Sequence, residues 1–170
     1  MKDTEDRDEV ATCLREAEEE IGLPGHQVQV LARLLPSINR RQILVSPIVG
    51  LVTDPDFSPT VNPDEVEAAF LLPLDRFLSD RDHTAHMYSN HGISWTIHFF
   101  EDLVGERLFR TWGLTASMCV NLAVAVLRQE PDFSWDDGNT VDNPYATQAV
   151  YLQKYSEDRL RQEAATGGKL

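Results

Sequence analysis

The sequence of 170 residues is short of three features, and each shortage excludes a class of protein. Two cysteines, Cys13 and Cys119, are too few for the disulfide framework of a small secreted domain and favour a reducing compartment. No apolar run approaches the roughly 18 residues of a membrane-spanning helix. The charged N-terminus is unlike the apolar core of a secretory signal peptide, so neither a membrane partner nor secretion is expected.

Positive charge is also scarce: 15 lysines and arginines face 28 aspartates and glutamates, which gives a net charge of −13. Binding of nucleic acid needs a basic surface, so a nucleic-acid partner is not expected. An anionic small molecule is repelled at long range and would need a divalent cation or a local basic patch. The composition, with 42% hydrophobic and 25% charged residues, is that of one globular domain.

Hydrophobic periodicity predicts an α+β arrangement of helices and strands. Helices are expected at 8–22, 74–78 (short), 114–128 (buried) and 145–164, and strands at 27–35, 43–53 (interrupted at Pro47), 66–72, 94–104 and 106–112, with the last two forming a hairpin. The polar segment 80–90 and the acidic segment 130–144 are expected to be a loop and a linker.

The first predicted helix carries three carboxylates on one side. Glu16, Glu19 and Glu20 are three and four residues apart, so they lie within an arc of roughly 100°. The apolar residues of the helix lie on a different arc and can anchor it: Val10, Leu14, Ala17 and Ile21. Mg²⁺ is bound by such carboxylates together with waters and phosphate oxygens. The charge pattern alone leaves open a solvated, glutamate-rich surface.

The order of residues in Arg15–Leu23, REAEEEIGL, resembles the second half of the Nudix box at every defined position. Membership of the Nudix hydrolase superfamily implies an α/β/α sandwich with a mixed sheet. It implies that Glu16, Glu19 and Glu20 bind Mg²⁺ or Mn²⁺, and that Glu16 also activates water. Arg15 would orient these carboxylates, and Gly22 would allow the turn after the helix.

The first half of the box departs from the general pattern, with Met1 and Arg7 in place of glycine and glutamate. This region resembles the peroxisomal coenzyme A diphosphatase subfamily. The similarity continues in later segments of the chain: 46–50, 62–66, 70–74 and 112–116. It implies cleavage of coenzyme A or acyl-CoA to 3′,5′-ADP and (acyl-)phosphopantetheine. Glu65 is then either a further metal ligand or a surface residue.

The resemblance also implies that the first strands of the family and the start of its box are missing. We therefore expect an N-terminally incomplete Nudix domain at 1–143, with the box at 1–23, followed by a helix and tail at 144–170. Two functions stay open: an active coenzyme A diphosphatase, or a catalytically impaired, shortened isoform that acts as a binding or regulatory chain. The end Gly168-Lys169-Leu170 is similar to the Ser-Lys-Leu peroxisomal signal, with the cytoplasm as the alternative.

Several other polar and aromatic residues are interpreted as structural. His98 is expected to be a packed strand residue, and the paired arginines 40 and 41 are expected to be exposed, with phosphate binding as the alternative. The histidines at 83, 86 and 91 are expected to be loop residues, and zinc binding by them is the less favoured alternative. Trp95, Trp112 and Trp135 are expected in the core or at its rim.

Overall fold

The computed structural model describes residues 7–39, 43–90, 93–136 and 138–166. Its α-helices are α1 (Glu9–Ile21), α2 (Gly113–Leu127) and α3 (Ala146–Thr166). Its strands are β1 (Val28–Arg33), β2 (Ser37–Ile38), β3 (Leu44–Val45), β4 (Ile48–Val52), β5 (His83–Asn90), β6 (Ile93–Val104) and β7 (Arg107–Trp112), and 3₁₀ turns span Gly25–Gln27 and Leu74–Leu78. The predicted α+β class is confirmed. None of the described helices is both long enough and apolar enough to cross a membrane.

The described residues form two compact units, the first within 1–36 and 44–71, the second within 37–43 and 72–170. The predicted boundary at residue 143 is a different division, and it stays a prediction. In the first unit, α1 begins where predicted because the Asp8 carboxylate accepts a hydrogen bond from the backbone N–H of Ala11 at 2.8 Å. This N-cap satisfies one of the unpaired donors of the first turn.

Gly22 ends α1 in the left-handed conformation, with φ of 68°. Its backbone N–H donates to the carbonyl of Glu18 at 3.0 Å, and the N–H of Leu23 donates to Ala17 at 3.2 Å. The carbonyl of Ile21, the last residue of α1, accepts a hydrogen bond from the backbone N–H of Thr60, in a distant loop, at 2.9 Å. The end of the acidic helix is therefore fixed by a glycine and by residues nearly 40 positions later.

Replacement of Gly22 by alanine should lower the free energy of unfolding by about 1–2 kcal/mol, because a Cβ disfavours the left-handed conformation. An added Cβ would lie 3.5 Å from Thr60 Cβ, an ordinary contact, so the cost comes from the backbone and not from a clash. Chemical denaturation measures the loss. Gly22→Asn is the control and should lose less, since asparagine tolerates this conformation; equal losses would contradict the explanation.

The sheet of the first unit is an antiparallel ladder of β1 and β4 with an irregularity between Val30 and Ala32. Pro47 separates β4 from β3, as the sequence predicted. The ladder is thinly covered: Leu31 is 56% exposed and Leu51 is 52% exposed. Within the described part of this unit, Leu23 is the one fully buried hydrophobic residue.

The second unit contains an antiparallel sheet in the order β5-β6-β7. Alternate residues of β6 face α2, and Phe100 on that face is completely buried. The core joins this face to the helix and to the 3₁₀ turn Leu74–Leu78, through Phe77, Leu78, Phe100, Ala116, Val120, Ala123 and Val124. The predicted hairpin, buried helix and terminal helix are all confirmed.

Two predictions of local structure were wrong. The polar segment 80–90 was expected to be a loop, but His83–Asn90 forms β5 and pairs with β6 along its whole length. The segment 66–72 was expected to be a strand, but it has no ladder. Its side chains alternate between half-buried and exposed, and the apolar Leu71 is 91% exposed. Strand formation depends on a hydrogen-bonding partner, which local sequence does not reveal.

Candidate metal and diphosphate site

The carboxylates of α1 lie on its partly exposed side, as the helical pattern predicted. Glu16 keeps 34% of its side chain exposed and Glu19 keeps 51%, and Glu20 is exposed. Arg15 contacts two of the predicted ligands: its guanidinium is 2.6 Å from Glu19 and 3.6 Å from Glu16. Arg15 therefore contacts two of the carboxylates that it is predicted to orient, and the role itself stays a prediction.

A loop of the same unit contacts the C-terminal end of α1. The backbone N–H of Asn62 donates to the carbonyl of Glu20 at 2.8 Å, and the N–H of Glu65 donates to the carbonyl of Asn62 at 3.1 Å. The Asn62 side chain accepts from the N–H of Asp64 at 3.2 Å and tightens this turn. The backbone of Glu65 is thus held close to the last turn of the acidic helix, although the two are far apart in sequence.

The donor chemistry of this region suits Mg²⁺ or Mn²⁺, because every candidate ligand is a carboxylate oxygen. In the part of the chain that the structure describes, no three acidic, histidine or cysteine side chains converge as a ready metal site. One reason is the contact between Arg15 and Glu19, which turns that carboxylate along the helix. The donor set is nevertheless of the kind that holds a hard divalent cation, and Glu16, Glu19, Glu20 and Glu65 are the side chains that would hold it.

A second arginine lies beside the same helix. Arg33 on β1 places its Nη2 atom 3.0 Å from Glu9 Oε1 and 3.4 Å from Ser46 Oγ. At 100° per residue, Glu9, Glu16 and Glu20 fall within an arc of about 40°. Arg33 therefore lies on the side of α1 that carries two of the predicted ligands. The sequence did not single it out, because its partner is 24 residues away.

Comparison with known protein families identifies the family of the chain that carries this acidic helix. A family model of the NUDIX domain matches residues 4–91. The chain belongs to the Nudix family. The match contains α1, the loop at Asn62–Glu65 and Arg33, so the candidate site falls inside the Nudix domain.

Three relatives show how far the likeness extends. This Nudix chain is 36% identical over 130 residues to the mitochondrial Nudix hydrolase 15 of Arabidopsis thaliana, covering 76% of the chain and 46% of the relative. It is 38% identical over 129 residues to the chloroplastic Nudix hydrolase 22 of the same plant, covering 75% and 43%. It is 34% identical over 161 residues to a peroxisomal coenzyme A diphosphatase of Mus musculus, covering 94% and 67%. The chain spans less than half the length of the two plant relatives.

The histidine that the sequence assigned to packing is indeed a buried strand residue. His98 is 3% exposed, and its Nδ1 atom lies 3.0 Å from Nε2 of His83. Phe133 stacks on the His83 ring at 3.9 Å between centroids. Burial, with a smaller effect of His83, lowers the pKa of His98 to about 4. Burial and the Arg76 charge also lower the pKa of His83, against an opposing effect of Asp80.

This burial predicts a loss of stability in mild acid. Well above pH 6.5, His98 is neutral in both the folded and the unfolded chain. As the pH falls towards 4, His98 takes up a proton in the unfolded chain but stays neutral in the folded chain, so the unfolded state is favoured. The pKa difference from 6.5 to about 4 corresponds to a loss of about 3 kcal/mol in the free energy of unfolding. Denaturation at a series of pH values measures it. His98→Gln should flatten this dependence and the exposed control His86→Gln should not; equal slopes in the two variants would contradict it.

The remaining predicted residues divide between surface and core. Trp95 packs on Tyr151 at 5.7 Å between centroids, and Trp135 borders the core. Trp112 lies parallel to Phe99 but is 54% exposed, so it is a surface residue and not part of the core. His83 and His86 lie on β5 and not in a loop. Several predictions fall outside the described residues, namely those on Met1, Arg40, Arg41, His91 and 168–170.

Sequence reasoning also missed a buried ion pair in the second unit. The Nε of Arg76 donates to Oδ1 of Asp102, and the two side chains are 2% and 6% exposed. The guanidinium lies 5.0 Å from the centre of the Phe100 ring. Alternation along β6 places Asp102 on the buried face with His98 and Phe100, and a charged residue at such a position was the available signal.

Proposed function

We propose that this chain is a Mg²⁺- or Mn²⁺-dependent Nudix hydrolase. It cleaves the diphosphate of coenzyme A or acyl-CoA and releases 3′,5′-ADP and (acyl-)phosphopantetheine. The observation that carries the proposal is the arrangement of α1, where Arg15 contacts Glu19 and Glu16 and the Asn62–Glu65 turn is bound to the end of the helix. The likeness to the mouse coenzyme A diphosphatase supports the choice of substrate.

The proposed roles of the site residues are those that the likeness to the Nudix box implies. Glu16 and Glu20, with Glu19 and Glu65, would hold the divalent cation. When bound, the cation neutralises phosphate oxygens and lowers the pKa of a coordinated water. Arg15 fixes the direction of the Glu19 carboxylate, which a flexible glutamate would otherwise lose.

The chemical step requires removal of one proton from water. Glu16 accepts that proton while the water oxygen forms a bond to one phosphorus of the diphosphate. The bond between this phosphorus and the bridging oxygen breaks, and the bridging oxygen leaves with the other phosphate. Each product ends in the monophosphate formed at the broken bond, and together the two products contain the atoms of the substrate plus one water.

The test is incubation of the purified full chain with coenzyme A and Mg²⁺ or Mn²⁺, with products separated by liquid chromatography and identified by mass. We expect 3′,5′-ADP and phosphopantetheine in equal amounts, and no product when EDTA removes the metal. In water labelled with ¹⁸O, one product should carry a single ¹⁸O atom. Failure to release 3′,5′-ADP from coenzyme A with either metal would refute the proposal.

A second candidate function is favoured by the exposed apolar ladder of β1 and β4. Leu31 and Leu51 present more than half of their surface to water, which is typical of an association surface. In this alternative the chain is catalytically impaired and acts as a binding or regulatory chain. A chain that forms no product but sediments as a defined oligomer, and becomes monomeric in Leu31→Ser, would support it.

For location, we propose the peroxisome, based on the C-terminal Gly-Lys-Leu and on a relative that is named as peroxisomal. A fluorescent protein fused ahead of residue 1 should mark peroxisomes, and removal of residues 168–170 should move the signal to the cytoplasm. Uniform fluorescence of both fusions would contradict the proposal.

A further inference from the structure

Arg33 and α1 form a contact that the proposed reaction does not use. The Nη2 atom of Arg33 is 3.0 Å from Glu9 Oε1, and the arginine side chain is 52% exposed. Glu9 lies on the arc of the helix that carries Glu16 and Glu20. The Arg33 guanidinium thus lies on the same side of α1 as Glu16 and Glu20. It contacts the N-terminal end of the helix, whereas these proposed metal ligands lie towards the C-terminal end.

Distance decides which part of a substrate this arginine could reach. Glu9 precedes Glu16 by seven residues, which is about 10 Å along a helix that rises 1.5 Å per residue. The two phosphorus atoms of a diphosphate share one bridging oxygen and cannot span this length. A diphosphate held at Glu16 and Glu20 therefore leaves Arg33 beside another part of the same molecule.

The contact with Glu9 does not prevent Arg33 from binding an anion. Both side chains are about half exposed, 52% and 50%, and an exposed ion pair of this kind is weak. The planar guanidinium carries five N–H donors, and a phosphate accepts two of them in parallel. A phosphomonoester dianion also carries more charge than the Glu9 carboxylate, so exchange of partners is favourable.

The charge of the chain gives such a cationic group a purpose. With a net charge of −13, the protein repels a substrate that bears several phosphates. The cation at the carboxylates would offset the charge of the diphosphate but not the charge of any other phosphate in the substrate. Arg15 is directed towards Glu19 and Glu16, which leaves it the orienting role already described.

We infer that Arg33 binds a phosphomonoester remote from the scissile diphosphate, the 3′-phosphate of coenzyme A, and so selects substrates that carry it. The inference rests on the proposed function, since the position of the diphosphate is taken from it. Arg33 is then a residue of substrate specificity. Glu9 competes with the phosphate for the guanidinium and weakens binding.

Equilibrium binding of two product nucleotides tests this without any turnover. Calorimetric titration of the full chain in the presence of Mg²⁺ compares 3′,5′-ADP with 5′-AMP, which lacks the 3′-phosphate. We expect at least about tenfold tighter binding of 3′,5′-ADP to the unmodified chain, as one charge-assisted pair provides. Arg33→Gln should abolish the difference, and Glu9→Gln should preserve or widen it.

Arg128→Gln is the matched control. Arg128 is 57% exposed and pairs with Asp142 at 2.5 Å, so this variant removes the same charge from a similar surface ion pair. It should keep the preference for 3′,5′-ADP. Thermal melting of all variants should agree closely, since each change is on the surface.

Two results would overturn the inference: equal affinity of the unmodified chain for the two nucleotides, or an unchanged preference in Arg33→Gln. Release of 3′,5′-ADP from coenzyme A reports on the proposed function and does not enter this titration. Hydrolysis without nucleotide discrimination would remove the inference alone. Discrimination that depends on Arg33, without hydrolysis, would remove the proposed reaction and keep the binding site.

Discussion

Hydrolysis of coenzyme A by Glu16→Gln should be roughly 10²- to 10⁴-fold slower than by the unmodified chain, the range that loss of a proton-accepting group produces. Hydrolysis by Glu20→Gln should also be slower, because a carboxylate ligand of the cation is lost. The two carboxylates lie on one side of α1, about one helical turn apart. Glutamine keeps the size of the side chain but loses its charge. It therefore binds a divalent cation weakly and cannot accept the proton of the attacking water.

The matched control is Glu18→Gln on the same helix. Glu18 points away from Glu16 and Glu20, since residues two apart on a helix are separated by about 200°. Its side chain is exposed, and its substitution changes the net charge by the same amount. It should retain nearly full activity. Initial rates of 3′,5′-ADP release, measured over a range of Mn²⁺ concentrations, give the comparison.

A separate readout identifies the cause of the loss. Weaker Mn²⁺ binding, followed by electron paramagnetic resonance of the free ion, is expected for Glu20→Gln, which would act chiefly as a ligand. Glu16→Gln should weaken Mn²⁺ binding and also stay slow at saturating Mn²⁺, because it removes the general base. Equal activity of the Glu18, Glu16 and Glu20 variants would mean that α1 is only a solvated surface.

The acidic helix could be predicted almost completely from local sequence. Asp8 and Gly22 determine its ends, and the spacing of apolar residues determines its half-buried side, through contacts within a few positions. The order of Arg15 and the glutamates also predicted the contact that the structure places between Arg15 and Glu19. These features depend on residues three or four apart, which any helix brings together.

Other parts of the site depend on contacts that no local pattern encodes. The hydrogen bond from Asn62 to Glu20 joins residues 42 positions apart and brings Glu65 to the end of the helix. The contact of Arg33 with Glu9 likewise requires β1 to lie beside α1. The strand His83–Asn90 was missed for the same reason, since its polar sequence becomes a strand only against β6. Tertiary pairing overrides a weak local preference.

The buried pair of Arg76 and Asp102 should give the largest effect of a single substitution on stability. Asp102→Leu is expected to lower the free energy of unfolding by about 3–5 kcal/mol, because it leaves the Arg76 charge buried without its partner. Arg76 is only 2% exposed, and its other hydrogen bonds within the described residues go to the carbonyls of Ser79 at 3.4 Å and Glu101 at 3.3 Å. These two long contacts cannot replace a carboxylate.

The double variant Arg76→Met, Asp102→Leu separates the ion pair from the packing around it. It removes both charges and also Oδ2 of Asp102, a buried oxygen without a hydrogen-bond partner among the described residues. We expect it to recover most of the lost stability, since a buried pair contributes little more than apolar side chains of similar volume. Denaturation of the two single variants and the double variant gives the coupling energy.

An exposed pair of the same sheet supplies the contrast. Arg110 contacts Glu101 across the ladder of β6 and β7, with the side chains 60% and 39% exposed. Glu101→Gln should cost less than about 1 kcal/mol, because water solvates whichever charge is left. A domain of this size has only about 5–15 kcal/mol of stability in total. Asp102→Leu would therefore remove a substantial fraction of this stability, whereas Glu101→Gln would not; similar losses in both variants would show that burial of the pair has no energetic consequence.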